Sequence, residues 1–267
     1  MEDFYMGTSN NETYHQQNIQ QNTQKLRNLL REMPGFCKDY FRGIEPSTSA
    51  RTRIGYAYDI RTFFRFLVSE NPVLKNTEIK DINLTHLDMV EPVDIEEYME
   101  YLKLYYYDGQ KYTNDERGLH RKMASLRSFY LYYQKRDMIK NNPTVVVNMP
   151  KLHDREIIRL DPDEVAELLE LVEHGGNNLS GIKKTYYEKN KLRNIAIFTL
   201  FLGTGIRVSE CVGLNIEDVD FRENRIRIIR KGGKEEYVYF GDEVAESLKN
   251  YIELSRRTID PKEGHKH

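Results

Sequence analysis

The side chains of this chain best suited to chemistry are an arginine set behind a glycine turn and a lysine set beside a glycine pair. Residues 203–210 read Gly-Thr-Gly-Ile-Arg-Val-Ser-Glu, and residues 230–235 read Arg-Lys-Gly-Gly-Lys-Glu. The guanidinium of Arg207 is a planar fork that can grip oxyanion charge at two points. The neighbouring glycines let the backbone bend sharply. Glu210 lies three residues on, near enough on a helix to orient that fork. Lys231 and Lys234 flank Gly232-Gly233. This is the composition of a hairpin turn, from which an ammonium group can reach outward.

The elements that must position these groups can be read from periodicity. Residues 25–33 and 36–42 suggest short helices separated by Pro34-Gly35. Glu45 to Ser49 reads as loop and cap. From Arg51 to Ser69 the spacing predicts a helix, with Tyr56, Ile60, Phe63, Phe64 and Leu67 on one face. A second amphipathic helix is expected over 94–107 through Ile95, Tyr98, Met99 and Leu102, broken at Asp108-Gly109. A third is expected over 115–136, with Leu119, Met123, Leu126, Tyr130 and Tyr133 as its buried stripe. Residues 149–160 read as a linker between a domain over 25–148 and a second over 161–267. Asp161-Pro-Asp-Glu164 predicts a capped helix start, followed by Val165, Leu168, Leu169 and Val172 on its apolar face and by Gly175-Gly176 at its end. An apolar helix over 190–202 is expected to close at Gly203 and Gly205, with a short helix over 206–214 after it. The period then changes to 2. Arg225–Ile228 and Glu235–Phe240 read as a hairpin, with a third strand over 217–221. Val244, Leu248, Tyr251 and Ile252 mark a final helix.

Composition sets the bounds. The chain has 267 residues, room for two domains, and a net charge of only −2. Any polyanion must therefore be met by local patches. Six Lys or Arg and no Asp or Glu occur from Arg117 to Arg136, and Arg51, Arg53, Arg61 and Arg65 add a second cationic group. Two widely separated cysteines, Cys37 and Cys211, fit a reducing cytoplasm and no metal spacing. No apolar run approaches the roughly 18 residues of a membrane span. Residues 1–24 lack Lys and Arg and are rich in Gln, Asn and Thr, which suggests a disordered tail rather than a secretory signal. His120 and His153 read as surface histidines. Most of the 19 tyrosines read as packing, and Tyr105-Tyr-Tyr107 suggests no function.

The order helix, Gly-Thr-Gly-Ile-Arg-Val-Ser-Glu, short helix, small sheet with lysine in its turn, helix resembles the tyrosine recombinase (phage integrase) family, in its Xer-like and transposon-integrase branches. Arg51 to Leu67 resembles the first long helix of that family's core-binding domain, and Arg121 to Tyr132 its last. The resemblance runs from about residue 36 to about residue 255. It implies a mainly α fold with a small antiparallel β-sheet. An N-terminal helical, SAM-like core-binding domain would precede the N-terminal part of a mixed α/β catalytic domain, the two gripping duplex DNA from opposite faces. It implies Arg207 as the first of two catalytic arginines, Glu210 as its acidic partner and Lys231 as the hairpin lysine, with Lys234 the rival for that role. In this chemistry a phosphorane carries extra charge on its non-bridging oxygens, which a fixed guanidinium stabilises. A lysine supplies the proton that the departing deoxyribose oxygen needs. DNA contacts are expected from Arg51, Arg53, Arg61, Arg65, Arg121, Lys122, Arg127, Lys135 and Lys234. No metal or other cofactor is implied. The implied setting is cytoplasmic, with double-stranded DNA as partner and a homo-oligomer on it, a tetramer in the family.

The resemblance further implies a His-x-x-Arg box, another His or Trp, and a nucleophilic tyrosine that forms a 3′-phosphotyrosine, all downstream of the hairpin. After Lys231 the only histidines are His265 and His267, with no arginine beyond them. Tyr237, Tyr239 and Tyr251 fall in the sheet and the next helix, the wrong context for the nucleophile. The expectation is a C-terminally truncated recombinase, either a fragment or a shortened gene product, inactive alone. The alternative is a non-catalytic DNA-binding accessory protein or truncated regulator of recombination. A helical protein–protein module without DNA affinity is a third reading.

Overall fold

Helical spacing of large apolar side chains builds the first half of the chain. The computed structural model describes residues 14–258 apart from Arg155 and Lys231. Its described residues cluster into two units, one over 16–156 and one from 157 onward. In the first, α1 (Tyr14–Leu30), α2 (Cys37–Gly43), α3 (Ala50–Ser69), α4 (Leu84–Asp88) and α5 (Pro92–Tyr101) lead to strands β1 (Leu104–Tyr107) and β2 (Gln110–Thr113), then to α6 (Glu116–Gln134). The Ser49 hydroxyl caps α3 by accepting from the Thr52 N–H at 3.1 Å. The Asp115 carboxylate caps α6 by accepting from the Gly118 N–H at 2.8 Å. The predicted stripes face the core: Ile60, Phe63, Phe64 and Leu67 of α3 and Met123, Leu126, Tyr130 and Tyr133 of α6 are buried, while Tyr56 and Leu119 are half-buried. Phe129 sits among Phe36, Tyr40, Phe64 and Tyr133, with ring centroids 5.0–6.1 Å apart.

Three differences from the sequence reading stand out. Residues 14–24, expected within the disordered tail, belong to α1, which anchors through Leu26 and Leu29; residues 1–13 lie outside the described ones. The helix expected over 94–107 stops at Tyr101, and the chain turns into a β1–β2 hairpin. Asp108 and Gly109 take φ of 51° and 71°, the two left-handed positions of a two-residue hairpin turn. The stretch over 84–88, to which the sequence reading assigned no element, forms α4 behind an Asn83 cap.

In the second unit, α7 (Pro162–His174), α8 (Gly181–Thr204), α9 (Val208–Val212) and α10 (Asp242–Leu254) surround an antiparallel sheet of β3 (Val219–Asp220), β4 (Arg225–Ile229) and β5 (Glu235–Tyr239), in that spatial order. Ile226 pairs with Val238, and with Ile228 they turn toward Ala196 and Leu200 of α8 and Val244 and Leu248 of α10. The Thr199 and Ser247 hydroxyls hydrogen-bond at 2.6 Å in the buried contact between α8 and α10. Helix α8 begins nine residues before the expected start at residue 190. Its extra turns are mostly exposed, and the Tyr187 hydroxyl ties them to α7 by donating to the Val172 carbonyl at 2.8 Å. Gly203 lies inside its last turn, and the helix closes at Gly205.

Candidate active site

Arg207 is positioned by backbone geometry at the junction of α8 and α9. Gly205 ends α8 with φ of 65° while its N–H donates to the Phe201 carbonyl at 2.9 Å. A side chain there would be strained, and the left-handed residue is what turns the chain. Ile206 then drops into the core, and Arg207 follows as the residue that caps α9.

Glu210 is the centre of the cluster. Its side chain is 3% exposed. One carboxylate oxygen accepts from the Arg207 N–H at 2.8 Å and from Arg230 Nη1 at 3.1 Å, and the other accepts from Arg207 Nη1 at 3.0 Å. Burial pushes this carboxyl up, but the Arg207 backbone and side-chain hydrogen bonds and the Arg230 and Arg207 charges outweigh it, holding the group below its ordinary value. The Arg207 side chain itself is 67% exposed. Among the described residues its Nε and Nη2 meet no acceptor. The arrangement is a solvent-facing guanidinium fixed at one end by a buried carboxylate, the form of a preorganised oxyanion grip.

Arg230, which the sequence reading passed over as a functional group, joins the hairpin to this cluster. Its Nε donates to Glu236 at 3.0 Å while Nη1 holds Glu210. Its N–H donates to the Lys234 carbonyl at 2.7 Å, so it closes the turn it precedes. Gly232 and Gly233 take φ of 93° and 82°, which only glycine adopts freely. Lys231 lies outside the described residues; Lys234 is exposed on the far side of the turn. The signal for Arg230 was present in the sequence as a cation abutting the Lys-Gly-Gly-Lys turn. Its partner, Glu210, is twenty residues away and visible only in three dimensions.

The expected DNA-facing cations separate into three groups. Arg51, Lys135 and Lys234 are exposed and have no partner among the described residues. Arg121 is half-exposed but pairs with Asp59. Arg65 lies over the Tyr107 ring, 3.6 Å from its centroid, and Arg61 pairs with Glu32. Three others are tied into the fold. Arg53 is buried and donates to the Glu45 and Thr48 carbonyls at 3.1 and 3.2 Å and to the Glu45 carboxylate. Lys122 is buried with its Nζ 3.1 Å from Asp59. Arg127 donates to the Thr144 and Val147 carbonyls, fastening α6 to the chain after it. Arg53 and Lys122 are buried against carboxylates, which sets them apart from the exposed cations, while half-buried Arg127 has its donors held by carbonyls but keeps its charge.

Glu210 gives a pH prediction with a definite sign. A carboxyl depressed in the folded state adds stability above its ordinary value of 4.5 and loses it as pH falls through the folded value. Thermal melting of wild type is therefore expected to fall along an acid limb below pH 4.5 that is shallower in Glu210→Gln. Parallel limbs in the two proteins would remove Glu210 from that role.

Among the described residues no helix is long and apolar enough to cross a membrane, and no group of three His, Cys, Asp or Glu side chains is placed to hold a metal ion. Residues 159–266 match the phage integrase family. The chain is 34% identical over 233 residues to the tyrosine recombinase XerC of Caldanaerobacter subterraneus subsp. tengcongensis, covering 85% of this chain and 58% of the relative. It is 32% identical to XerC of Pediococcus pentosaceus, covering 82% of this chain and 63% of that one. It thus spans about three-fifths of the length of these relatives. Its fold is similar to that of the Tn1549 transposon integrase in complex with a circular intermediate DNA, with a TM-score of 0.53 and 19% identity over 86% of this chain and 68% of that one. The XerH recombinase bound to its difH substrate gives a TM-score of 0.51 and 16% identity over 81% of this chain and 56% of that one. Residues 159–266 thus match the phage integrase family, and the chain as a whole is similar in sequence to tyrosine recombinases and in fold to a transposon integrase.

Proposed function

We propose that this chain carries DNA binding and part of the transition-state cradle of a tyrosine site-specific recombinase or integrase. The observation that supports this most is the exposed Arg207 guanidinium, held by buried Glu210 and neighboured by Arg230 at the root of a lysine-bearing turn. In the proposed reaction a tyrosine oxygen attacks a DNA phosphodiester, a 3′-phosphotyrosine forms, and the 5′-oxygen of the next deoxyribose leaves with a proton. Arg207 would bind the non-bridging oxygens as charge builds on them. Lys231, at the hairpin turn, would donate the proton. Glu210 would hold Arg207 in place without touching DNA. No metal or other cofactor enters the proposal, which places the chain with DNA in the cytoplasm and in a tetramer on two sites.

The nucleophile is proposed to lie outside this chain. Tyr237 and Tyr239 are exposed on β5, where Arg225 lies over the Tyr237 ring with its guanidinium carbon 4.5 Å from the centroid. Tyr251 is half-buried in α10. None is presented beside Arg207 by a hydrogen bond or ring contact among the described residues. The 267 residues contain no His-x-x-Arg, an observation that also favours a second reading, a non-catalytic accessory protein that binds DNA.

A nicked suicide duplex tests both. The chain is expected to bind it in a salt-sensitive way without forming a covalent adduct. Joined to the C-terminal part of the matched Pediococcus XerC, it is expected to form one. An adduct on a tyrosine of the unextended chain would overturn the placement of the nucleophile. Binding with no cleavage in the joined protein would favour the accessory reading.

A further inference from the structure

The β1–β2 hairpin in the unit over 16–156 has one face anchored and one face open. Two-stranded hairpins are marginal in water without something to pack on. Here the anchored face carries Tyr105, which stacks on Tyr101 of α5 at 4.9 Å and on its cross-strand partner Tyr112 at 5.1 Å. Tyr107, on the same face, lies beneath the Arg65 guanidinium of α3. At the hairpin's end the Asn114 side-chain amide donates to the Leu102 carbonyl at 2.6 Å. The tyrosine run left without a function in the sequence is therefore, on one face, a fastening.

The other face is what the fastening holds out. The register pairs Leu104 with Thr113 and Tyr106 with Lys111, so these four share the open face. Leu104 is 50% and Tyr106 65% exposed. Lys111, and Lys103 at the hairpin's base, are exposed and have no ion-pair partner among the described residues. No carboxylate sits on that face; Asp108 is at the turn. Four residues are far fewer than the roughly 20–30 per side of a stable protein–protein interface. They are enough to add to a larger contact with a polyanion, because each lysine–phosphate contact contributes separately. Helix α6, with exposed Arg117, starts two residues beyond the hairpin.

We propose that the open face of this hairpin, with Lys103 at its base, is a wing that rests on the sugar–phosphate backbone of duplex DNA. Lys103 and Lys111 contact phosphates, and Tyr106 packs against deoxyribose. The inference rests on the proposed DNA binding of the chain, and its test separates the two. Fluorescence anisotropy measures affinity of the whole chain for a mixed-sequence duplex at 50 and 200 mM salt, with circular dichroism confirming the fold of each variant. Each lost phosphate contact lowers the salt slope by about 0.9. The double variant Lys103→Ala/Lys111→Ala is thus expected to lose about 12-fold less affinity than wild type over this fourfold change in salt. Tyr106→Ala is expected to bind several-fold more weakly with the slope unchanged. If wild type binds with a steep salt slope and both variants match it, the wing is overturned while DNA binding by the chain stands. If wild type shows no salt-dependent binding, the DNA-binding reading falls and the wing with it. Loss of self-association in Tyr106→Ala by sedimentation, with DNA affinity unchanged, would assign the face to a second copy of this chain and overturn the proposal.

Discussion

Replacing Asp59 by alanine is expected to cost the chain about 3–5 kcal/mol of folding stability, the usual penalty for breaking a buried ion pair. The Asp59 side chain is 1% exposed, and its two oxygens hold Lys122 and Arg121. The Lys122 side chain is only 9% exposed. Alanine at position 59 leaves its ammonium group in a low-dielectric site with no counter-charge. Domains of this size are stable by about 5–15 kcal/mol, so the loss is a large part of the total. Urea denaturation followed by circular dichroism measures it, and a change below about 1 kcal/mol would contradict the pairing. The double variant Asp59→Leu/Lys122→Met is expected to recover much of the loss, because a packed apolar pair can replace a buried ionic one. Lys122→Met alone is expected to leave the salt slope of DNA binding unchanged, which separates this structural lysine from those that meet phosphate.

The second large effect concerns chemistry rather than stability. In a cleavage-competent protein that contains this chain, Arg207→Ala is expected to slow DNA cleavage by at least about 10²–10³-fold, the scale for removing one preorganised donor from developing oxyanion charge. Affinity for intact duplex is expected to change only a few-fold, since one phosphate contact among many is lost. The Arg207 side chain is largely exposed, so its removal creates no cavity, and buried Glu210 loses the Nη1 contact but keeps the residue-207 N–H and Arg230; circular dichroism checks that the variant stays folded. Arg207→Lys is expected to rescue poorly, because an ammonium group cannot span two oxygens. Single-turnover cleavage and equilibrium binding on the same duplex give the two numbers. Equal losses in both would reduce Arg207 to a binding residue.

Much of this site was legible in the sequence because glycine declares backbone geometry. Gly205 and the pair Gly232-Gly233 take the left-handed conformations that place Arg207 and the hairpin turn. The long helices α3 and α6 were legible because their apolar residues recur at a period near 3.6 and face a common core. The β1–β2 hairpin was hidden because tyrosines occupy both of its faces, which erases the alternation that marks a strand. The start of α8 was hidden because its first turns are polar and mostly exposed. Charge alone could not say which cations are free. Arg53 and Lys122 resemble Arg51 and Lys135 in sequence, and only the fold shows that the first two are buried against Glu45 and Asp59. The role of Arg230 depends on a carboxylate brought from α9 and was equally out of reach.

A crystal structure of this chain with a duplex carrying one nick would test the central claim most directly. The account predicts that Arg207 donates to non-bridging oxygens of a single backbone phosphate at about 3 Å, with Glu210 still bound behind it and a lysine of the 231–234 turn reaching the same phosphodiester. DNA held entirely by other surfaces, with the Arg207 guanidinium open to solvent or turned into the protein, would contradict it.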